Sequence, residues 1–401
     1  MQLFTNPFRP GAGQPPPYLA GREQERDAFS QLLQQAPILQ NLILTGLRGV
    51  GKTVLLETFR PLALEKGWFW AGNDFSEATG VSEQNLAVRI LADLSPIVSS
   101  FTLTEVDKKV IGFKRMGERS EIKLTFPVLM SIYNTTPGLE TDKLKNVLQI
   151  IWDTVKSKVN GIVLAYDEAQ ILKDKAVDKQ YPLSLLLEVV QFLQRKQIPY
   201  LLILTGLPTL PTNVIEARTY SERMFKVMTL DKLNEAESRD AILRPIQIKS
   251  CPVTFNERGI SELIKYSSGY PYFIQFFCKE VFDAILQQIK VGIKEPAVTV
   301  AENVRKLDSD FYFGRWSRVT DRQRELLMVI AKLPNANEEF TIKEIASKSV
   351  DLKNQFKTAY INNTLGKLIE FGLIFKNRRS KYSFAVPLLA DYINRQEETF
   401  K

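Results

Sequence analysis

Gly46, Gly51, Lys52 and Thr53 stand at the G-x-x-x-x-G-K-[ST] spacing, the pattern of a loop that wraps a phosphate. The chemistry depends on that order. Glycines let successive backbone N–H groups curl around a β-phosphate, and the N-terminus of the following helix adds its positive dipole end. Lys52 is expected to reach the β- and γ-phosphates, and the Thr53 hydroxyl to sit on Mg²⁺. Gly49 and Val54 complete the expected lining. A glycine turn followed by Lys-Thr would look the same in isolation. Here the apolar run Leu42-Ile43-Leu44 precedes the loop, and the helical pattern Val54-Leu55-Leu56 follows it without a break.

A second group of reactive side chains lies downstream. Gly161-Ile162-Val163-Leu164-Ala165-Tyr166 is a continuous apolar run that ends in Asp167 and Glu168. Such a run suits a strand buried on both faces of a parallel sheet, with its acids at the carboxyl end. Asp167 is expected to hold Mg²⁺ through water, and Glu168 to orient and activate an attacking water. Alone, two acids after an apolar run would simply begin a solvated loop; after a phosphate loop they complement it. Histidine is absent from the chain, which removes Ser-His-Asp, Cys-His and histidine–metal chemistry. Cys251 and Cys278 are too few for a disulfide framework and lack metal-ligand spacing.

The elements that must carry these groups follow from composition and periodicity. With 401 residues, 44% apolar and 24% charged, the chain is long enough for two or three globular domains. The start, Met1-Gln2-Leu3-Phe4-Thr5-Asn6-Pro7, is neither basic nor apolar enough for a signal peptide. No apolar run approaches ~18 residues, so the expectation is a cytoplasmic protein without membrane contact. Net charge is +8. From Arg315 to Lys401 there are 16 Lys/Arg against 10 Asp/Glu, so most of the excess is C-terminal. That favours a nucleic-acid contact there, beside the plainer reading of a solvated basic surface.

Residues 1–17, with five prolines, read as an extended leader. A helix through about Gln35, a strand near Gln40 to Thr45, a helix Lys52 to Glu65 and a strand Trp68 to Ala71 follow. A helix near Ser82 to Leu94 precedes a stretch, Phe101 to Phe126, expected to form a hairpin-like insertion. Thr141 to Lys158 has amphipathic helical spacing. Helix Pro182 to Arg195 and strands ending at Gly206 and Leu230 complete an alternating α/β pattern over 18–230, which means an open α/β sheet. Helices take over at 231–290, with Pro271 placed to start one, and 291–317 reads as a connector. In 318–401, helices Asp321 to Leu333, from Ile342, and Asn354 to Phe371 precede two short strands, Leu373 to Phe375 and Tyr382 to Val386. These strands flank the basic run Lys376-Asn377-Arg378-Arg379-Ser380-Lys381. Three helices capped by a hairpin with a basic tip is the winged form of a helix-turn-helix.

Gly46 to Thr53, Asp167-Glu168-Ala169-Gln170 and the strand ending at Thr205 resemble the Walker A, Walker B and sensor 1 motifs of an AAA+ ATPase. Gly21-Arg22-Glu23 is similar to the nucleotide-box opening of origin-recognition-like initiators and related STAND signalling ATPases. Gly269-Tyr270-Pro271 and the C-terminal pattern extend the resemblance over nearly the whole chain. It implies a five-stranded parallel sheet, a helical lid, and ATP with Mg²⁺ held in the cleft between them. It also implies that Leu19, Gly21 and Arg22 lie near the adenine or ribose, although Arg22 would equally serve by pairing with a neighbouring acid. Thr205 takes the sensor 1 place, and an arginine finger falls on Arg223, with Arg218 the second choice; either would otherwise be a surface salt-bridge residue. The sequence departs from the pattern at Tyr272, where many such proteins carry a sensor 2 arginine. Slow hydrolysis is the expected consequence.

The resemblance implies an ATP-driven switch, whose nucleotide state sets homo-oligomerisation and a grip on duplex DNA through Lys357, Lys376, Arg378, Arg379 and Lys381, with Lys353 and Lys367 nearby. The rival is a STAND-like ATPase whose C-terminal domain docks a protein partner. A third reading is a nucleotide-binding module with negligible turnover.

Overall fold

The computed structural model describes residues 4–11, 13–103, 122–248, 251–293, 296, 300–350, 355–378 and 380–399. They divide into two units. One comprises Arg22–Gly46 and Lys52–Thr229, the other Met1–Gly21, Leu47–Gly51 and Leu230–Lys401.

The first unit is built on a five-stranded sheet. Its strands are β1 (Asn41–Gly46), β2 (Trp68–Ala71), β3 (Gly161–Tyr166), β4 (Tyr200–Gly206) and β5 (Phe225–Leu230), in the order β2-β3-β4-β1-β5. The β2–β3, β3–β4 and β1–β4 pairings are parallel. Every residue of β1, β3 and β4 is buried, as their unbroken apolar sequences require of strands covered on both faces. The polar exception, Asn41, is fully buried and satisfied. Its Oδ1 accepts from Leu202 N at 2.9 Å, and its Nδ2 donates to Met224 O at 3.3 Å. Those bonds fix the register in which β1 and β4 end side by side, with Leu44 opposite Thr205 and Thr45 opposite Gly206.

The helices of this unit are α1 (Glu23–Leu32), α2 (Lys52–Glu65), α3 (Glu83–Val98), α4 (Phe126–Thr135), α5 (Glu140–Val155), α6 (Pro182–Arg195) and α7 (Leu210–Ala217). Phe29 of α1 stacks on Phe59 of α2 with ring centroids 4.3 Å apart. The insertion expected over 101–126 is largely outside the described residues. Of its flanks, Thr102 and Lys123 form an antiparallel bridge, while Phe126 begins α4 instead of ending a strand. Leu129, Ile132 and Tyr133 of α4 are buried, which is helical spacing, and Pro127 sits in the first turn, where its missing N–H costs nothing.

In the second unit, α8 (Glu235–Leu243), α9 (Glu257–Ser267) and α10 (Pro271–Lys290) occupy the region expected to be a helical lid. Asn234 caps α8 by accepting from Glu237 N, and its own N–H donates back to Glu237 Oε2, a capping box. Pro271 opens α10, as its sequence position predicts. Residues 4–10 contain neither helix nor strand, yet Phe8 is only 2% exposed and packs on Phe255 and Phe282. The stretch expected to be a connector, 291–317, is helical from Val300 to Leu307 (α11), passes through a π-turn Asp308–Tyr312, and ends in α12 (Phe313–Trp316). Tyr312 and Trp316 are buried there, so aromatic packing overrides the linker-like composition.

The C-terminal region has α13 (Asp321–Ala331), α14 (Ile342–Lys348), α15 (Thr358–Glu370), the antiparallel strands β6 (Ile374–Arg378) and β7 (Lys381–Phe384), and α16 (Leu389–Thr399). Phe340 adds a bridge to Tyr382. One expectation needs correction: much of the basic run is not a loop tip, since Lys376 and Asn377 lie within β6, which ends at Arg378, and Lys381 begins β7. A closing helix, α16, follows the hairpin. Among the described residues no helix is long and apolar enough to cross a membrane.

Candidate functional site

The phosphate loop links β1, ending at Gly46, to α2, starting at Lys52. Gly49 and Gly51 have φ of +80° and +90°, so their amides turn inward in a conformation that a side chain would oppose. At Gly51 a Cβ would meet open space. Its backbone angle alone demands glycine. The Lys52 ammonium donates to the Gly46 carbonyl at 3.0 Å, lying back along its own loop, and Val54 is half-buried behind it.

Thr53 Oγ1 donates to Asp167 Oδ2 at 2.5 Å, bringing together the two side chains read from sequence as a cation pair. Asp167 is 4% exposed, and its other oxygen accepts from Glu168 N at 2.7 Å. One hydroxyl and one buried carboxylate are hard oxygen donors, the set that suits Mg²⁺ shared with substrate phosphates. No group of three or more Cys, Asp or Glu side chains forms a closed metal cage among the described residues. Glu168 is exposed and held in the left-handed region at φ 51°.

Two features here were not read from sequence. Gln170 Nε2 donates to Glu168 Oε2, while Gln170 Oε1 accepts from Leu207 N at 3.1 Å. One amide thus ties the carboxylate after β3 to the chain leaving β4. Asp74 pairs by backbone with Asp167, and its carboxyl pKa is raised by burial, then by the charges of Asp167 and Glu168. The sequence signal was available: Asp74 follows β2, the neighbour of the strand that carries the acids. Thr53, Glu57, Arg60, Asn73, Asp74 and Asp167 line a cavity of about 170 Å³, room for several waters.

Thr205 is fully buried at the end of β4, and its hydroxyl has no hydrogen-bond partner among the described residues; nor has that of the buried Thr45 on the adjacent strand. An unsatisfied buried hydroxyl costs about 1–3 kcal/mol, and two at the carboxyl edge of a sheet mark where a polar ligand or water belongs. Arg22 is buried and paired with Glu25 at 3.3 Å. Leu19 is half-buried, and Gly21 faces the Glu237 side chain. Arg223 is exposed at the end of the turn before β5, whereas Arg218 lies 3.5 Å from Glu188. Tyr272 donates its backbone N–H to the Gly49 carbonyl at 3.2 Å. In the C-terminal region Lys357, Lys367 and Lys376 are exposed and Lys381 half-buried. The Arg378 side chain, Arg379 and Lys353 lie outside what the structure describes.

Residues 18–204 match the family model of the AAA ATPase domain. The match spans the phosphate loop, both acids and β4 up to Leu204, and it supports ATP binding and hydrolysis as the chemistry of this part of the chain. Residues 309–393 match a domain of unknown function, DUF8462. No curated protein matches the sequence. Among solved structures, the Walker-type ATPase paby2304 of Pyrococcus abyssi is similar at 16% identity and a TM-score of 0.61, over 94% of this chain and 96% of its own. The Aeropyrum pernix ORC2 protein is similar in its ADP form at 12% identity and a TM-score of 0.56, over 98% of this chain and 97% of that one. Its ADPNP–ADP complexes give 12% identity and a TM-score of 0.53, over 98% of both chains. At such identities the similarity is one of fold, and it extends beyond the matched domain.

Proposed function

We propose that this chain is an Mg²⁺-dependent ATPase that works as a molecular switch of the origin-recognition-like AAA+ type, its nucleotide state setting self-association and grip on duplex DNA. The observation that carries the reading is the contact of Thr53 with Asp167 beside Glu168, next to a loop bent by two left-handed glycines. Backbone amides of the loop cradle the phosphates, with Lys52 swinging from the Gly46 carbonyl to the β/γ oxygens. Thr53 and Asp167 would hold Mg²⁺, which would supply neutralisation of the phosphate charge. Glu168 takes a proton from water, steered by Gln170, and the Thr205 hydroxyl orients that water. Leu19, Gly21 and Arg22 are proposed to flank the base or ribose. Arg223, exposed, reaches the ATP of a neighbouring copy as the finger.

The C-terminal region is proposed to be a winged helix. Three helices, the isolated bridge of Phe340 to Tyr382 and an antiparallel hairpin support it, and Lys357, Lys376 and Lys381 are proposed to contact a phosphate backbone.

Turnover of the chain and of Glu168→Gln, each with and without duplex DNA, tests the whole reading. The expected result is slow hydrolysis stimulated by DNA and reduced at least ~10²-fold in the variant, the usual size of a general-base effect. Hydrolysis indifferent to DNA would favour the STAND-like reading. Absence of hydrolysis would overturn the enzyme assignment.

A further inference from the structure

Glu168 is held by less than its neighbour Asp167. Its backbone lies in the left-handed region, which residues other than glycine seldom adopt away from functional sites, and its side chain is exposed. Among the described residues the carboxylate has one hydrogen-bond partner: Gln170 Nε2, which donates to Oε2. Oε1 is left over.

Gln170 is anchored at its other end. Ala169–Ile171 form a 3₁₀ turn packed against β4, and the Gln170 Oε1 accepts from Leu207 N at 3.1 Å. A main-chain N–H only donates and a carboxylate only accepts, so a single orientation of the amide satisfies both. Gly206 makes room for it: a Cβ there would stand 2.5 Å from Gln170 Oε1. The backbone at Gly206 is outside the left-handed region, so glycine serves the close approach of this amide and not a turn. Immediately before it stands Thr205, whose buried hydroxyl has no hydrogen-bond partner among the described residues.

We propose that Gln170 is a positioning residue for hydrolysis: its amide pins the Glu168 carboxylate to the main chain just beyond Thr205, so that the base and the Thr205 hydroxyl share one frame. The proposal rests on the reading of Glu168 as the group that takes a proton from water. With Oε2 held by Gln170, Oε1 is the oxygen that meets that water. The same tie makes residues 205–210, which lead into α7, a lever on the base, because a displacement of Leu207 passes through one side chain to Glu168. A general base must stand within hydrogen-bond reach of its proton, and a misplacement of ~1 Å costs up to ~10²-fold in rate.

Steady-state ATP hydrolysis decides it, measured on the full chain, on Glu168→Gln, Gln170→Ala, Gln170→Glu and Gly206→Ala, and on Gln170→Ala combined with Glu168→Gln or with Gly206→Ala. Gln170→Ala is expected to lower kcat at least ~10-fold and to change KM for ATP less than about twofold, the split of an interaction realised after the substrate is bound. Gln170→Glu keeps the length and the bond from Leu207 but has no proton to donate as a carboxylate, and should fall as far. Should Gln170→Ala lose its fold, Gln170→Glu carries the decision. Gly206→Ala displaces the amide, so it should lower kcat in the wild-type background and no further beside Gln170→Ala. Gln170→Ala should likewise add nothing to Glu168→Gln, since it acts through that carboxylate. Wild-type kcat in Gln170→Ala or Gln170→Glu beside a loss in Glu168→Gln, a loss expressed in KM alone, or additive losses in the double variants would overturn the proposal. Full turnover by Glu168→Gln, or none by the wild type, would instead overturn the reading of the base beneath it.

Discussion

Asp74 shows how one side chain registers the site around it. Its raised pKa comes from burial and from the two carboxylates beyond β3. A carboxyl that holds its proton more tightly folded than unfolded loses stability for the protein as pH rises from the ordinary aspartate range through the raised value. Above that window the folded state carries the repulsion in full. Asp74→Asn, unable to ionise, is therefore expected to melt at a higher temperature than wild type at pH 7, with the gap closing once the pH falls below the ordinary aspartate pKa. Melting curves across pH check this, and a variant less stable at neutral pH would contradict it. At this scale the sequence was most legible where backbone chemistry allows few residues. The order Gly-x-x-x-x-Gly-Lys-Thr has little freedom because Gly51 must adopt a positive φ. Asp167 was readable because a carboxylate after a fully apolar strand needs a reason. The bond that Gln170 accepts from Leu207 N was not, because it depends on a partner 37 residues away in sequence.

Elements with continuous apolar runs were equally legible: β1, β3 and β4 lie within a residue of their expected bounds, and α6 starts at its proline. The failures have physical causes. Phe126 closes the apolar-alternating run Glu121 to Phe126, read as one arm of a hairpin, but it is the first residue of α4, whose buried Leu129, Ile132 and Tyr133 have helical spacing. Val300–Trp316 is short and charged, with its packing carried by Val300, Leu307, Tyr312 and Trp316. The proline-rich start hides Phe8, whose ring meets Phe255 and Phe282, while Asn6 bonds Lys279 O and Asp283. The segment is therefore a strap on its own unit, more than a leader. Phe8→Ala should cost about 3–5 kcal/mol, the range for deleting a buried aromatic side chain, read as a lower denaturant midpoint. A change under ~0.5 kcal/mol, typical of surface positions, would return the segment to the status of an extended tail.

For the whole molecule, charge and nucleotide together define the account. Excess positive charge is concentrated after Arg315, and each phosphate that a lysine neutralises releases counterions, so binding weakens as salt rises. Duplex DNA affinity should fall steeply with salt, and Lys376→Ala with Lys381→Ala should flatten the logarithmic slope by about two. An unchanged slope would move the contact elsewhere, and no binding at low salt would favour protein docking. The boundary between what was readable and what was not follows the same line: the AAA ATPase match ends at residue 204, where the local motifs thin out, and the rest depends on long-range aromatic packing. The claim beneath everything else is that a triphosphate is held by the loop and Lys52. Isothermal titration of the folded chain with Mg·ATP, beside Lys52→Ala, tests it most directly. Saturable binding by wild type that Lys52→Ala loses is the predicted result; a flat wild-type titration, or equal binding by both proteins, would contradict it.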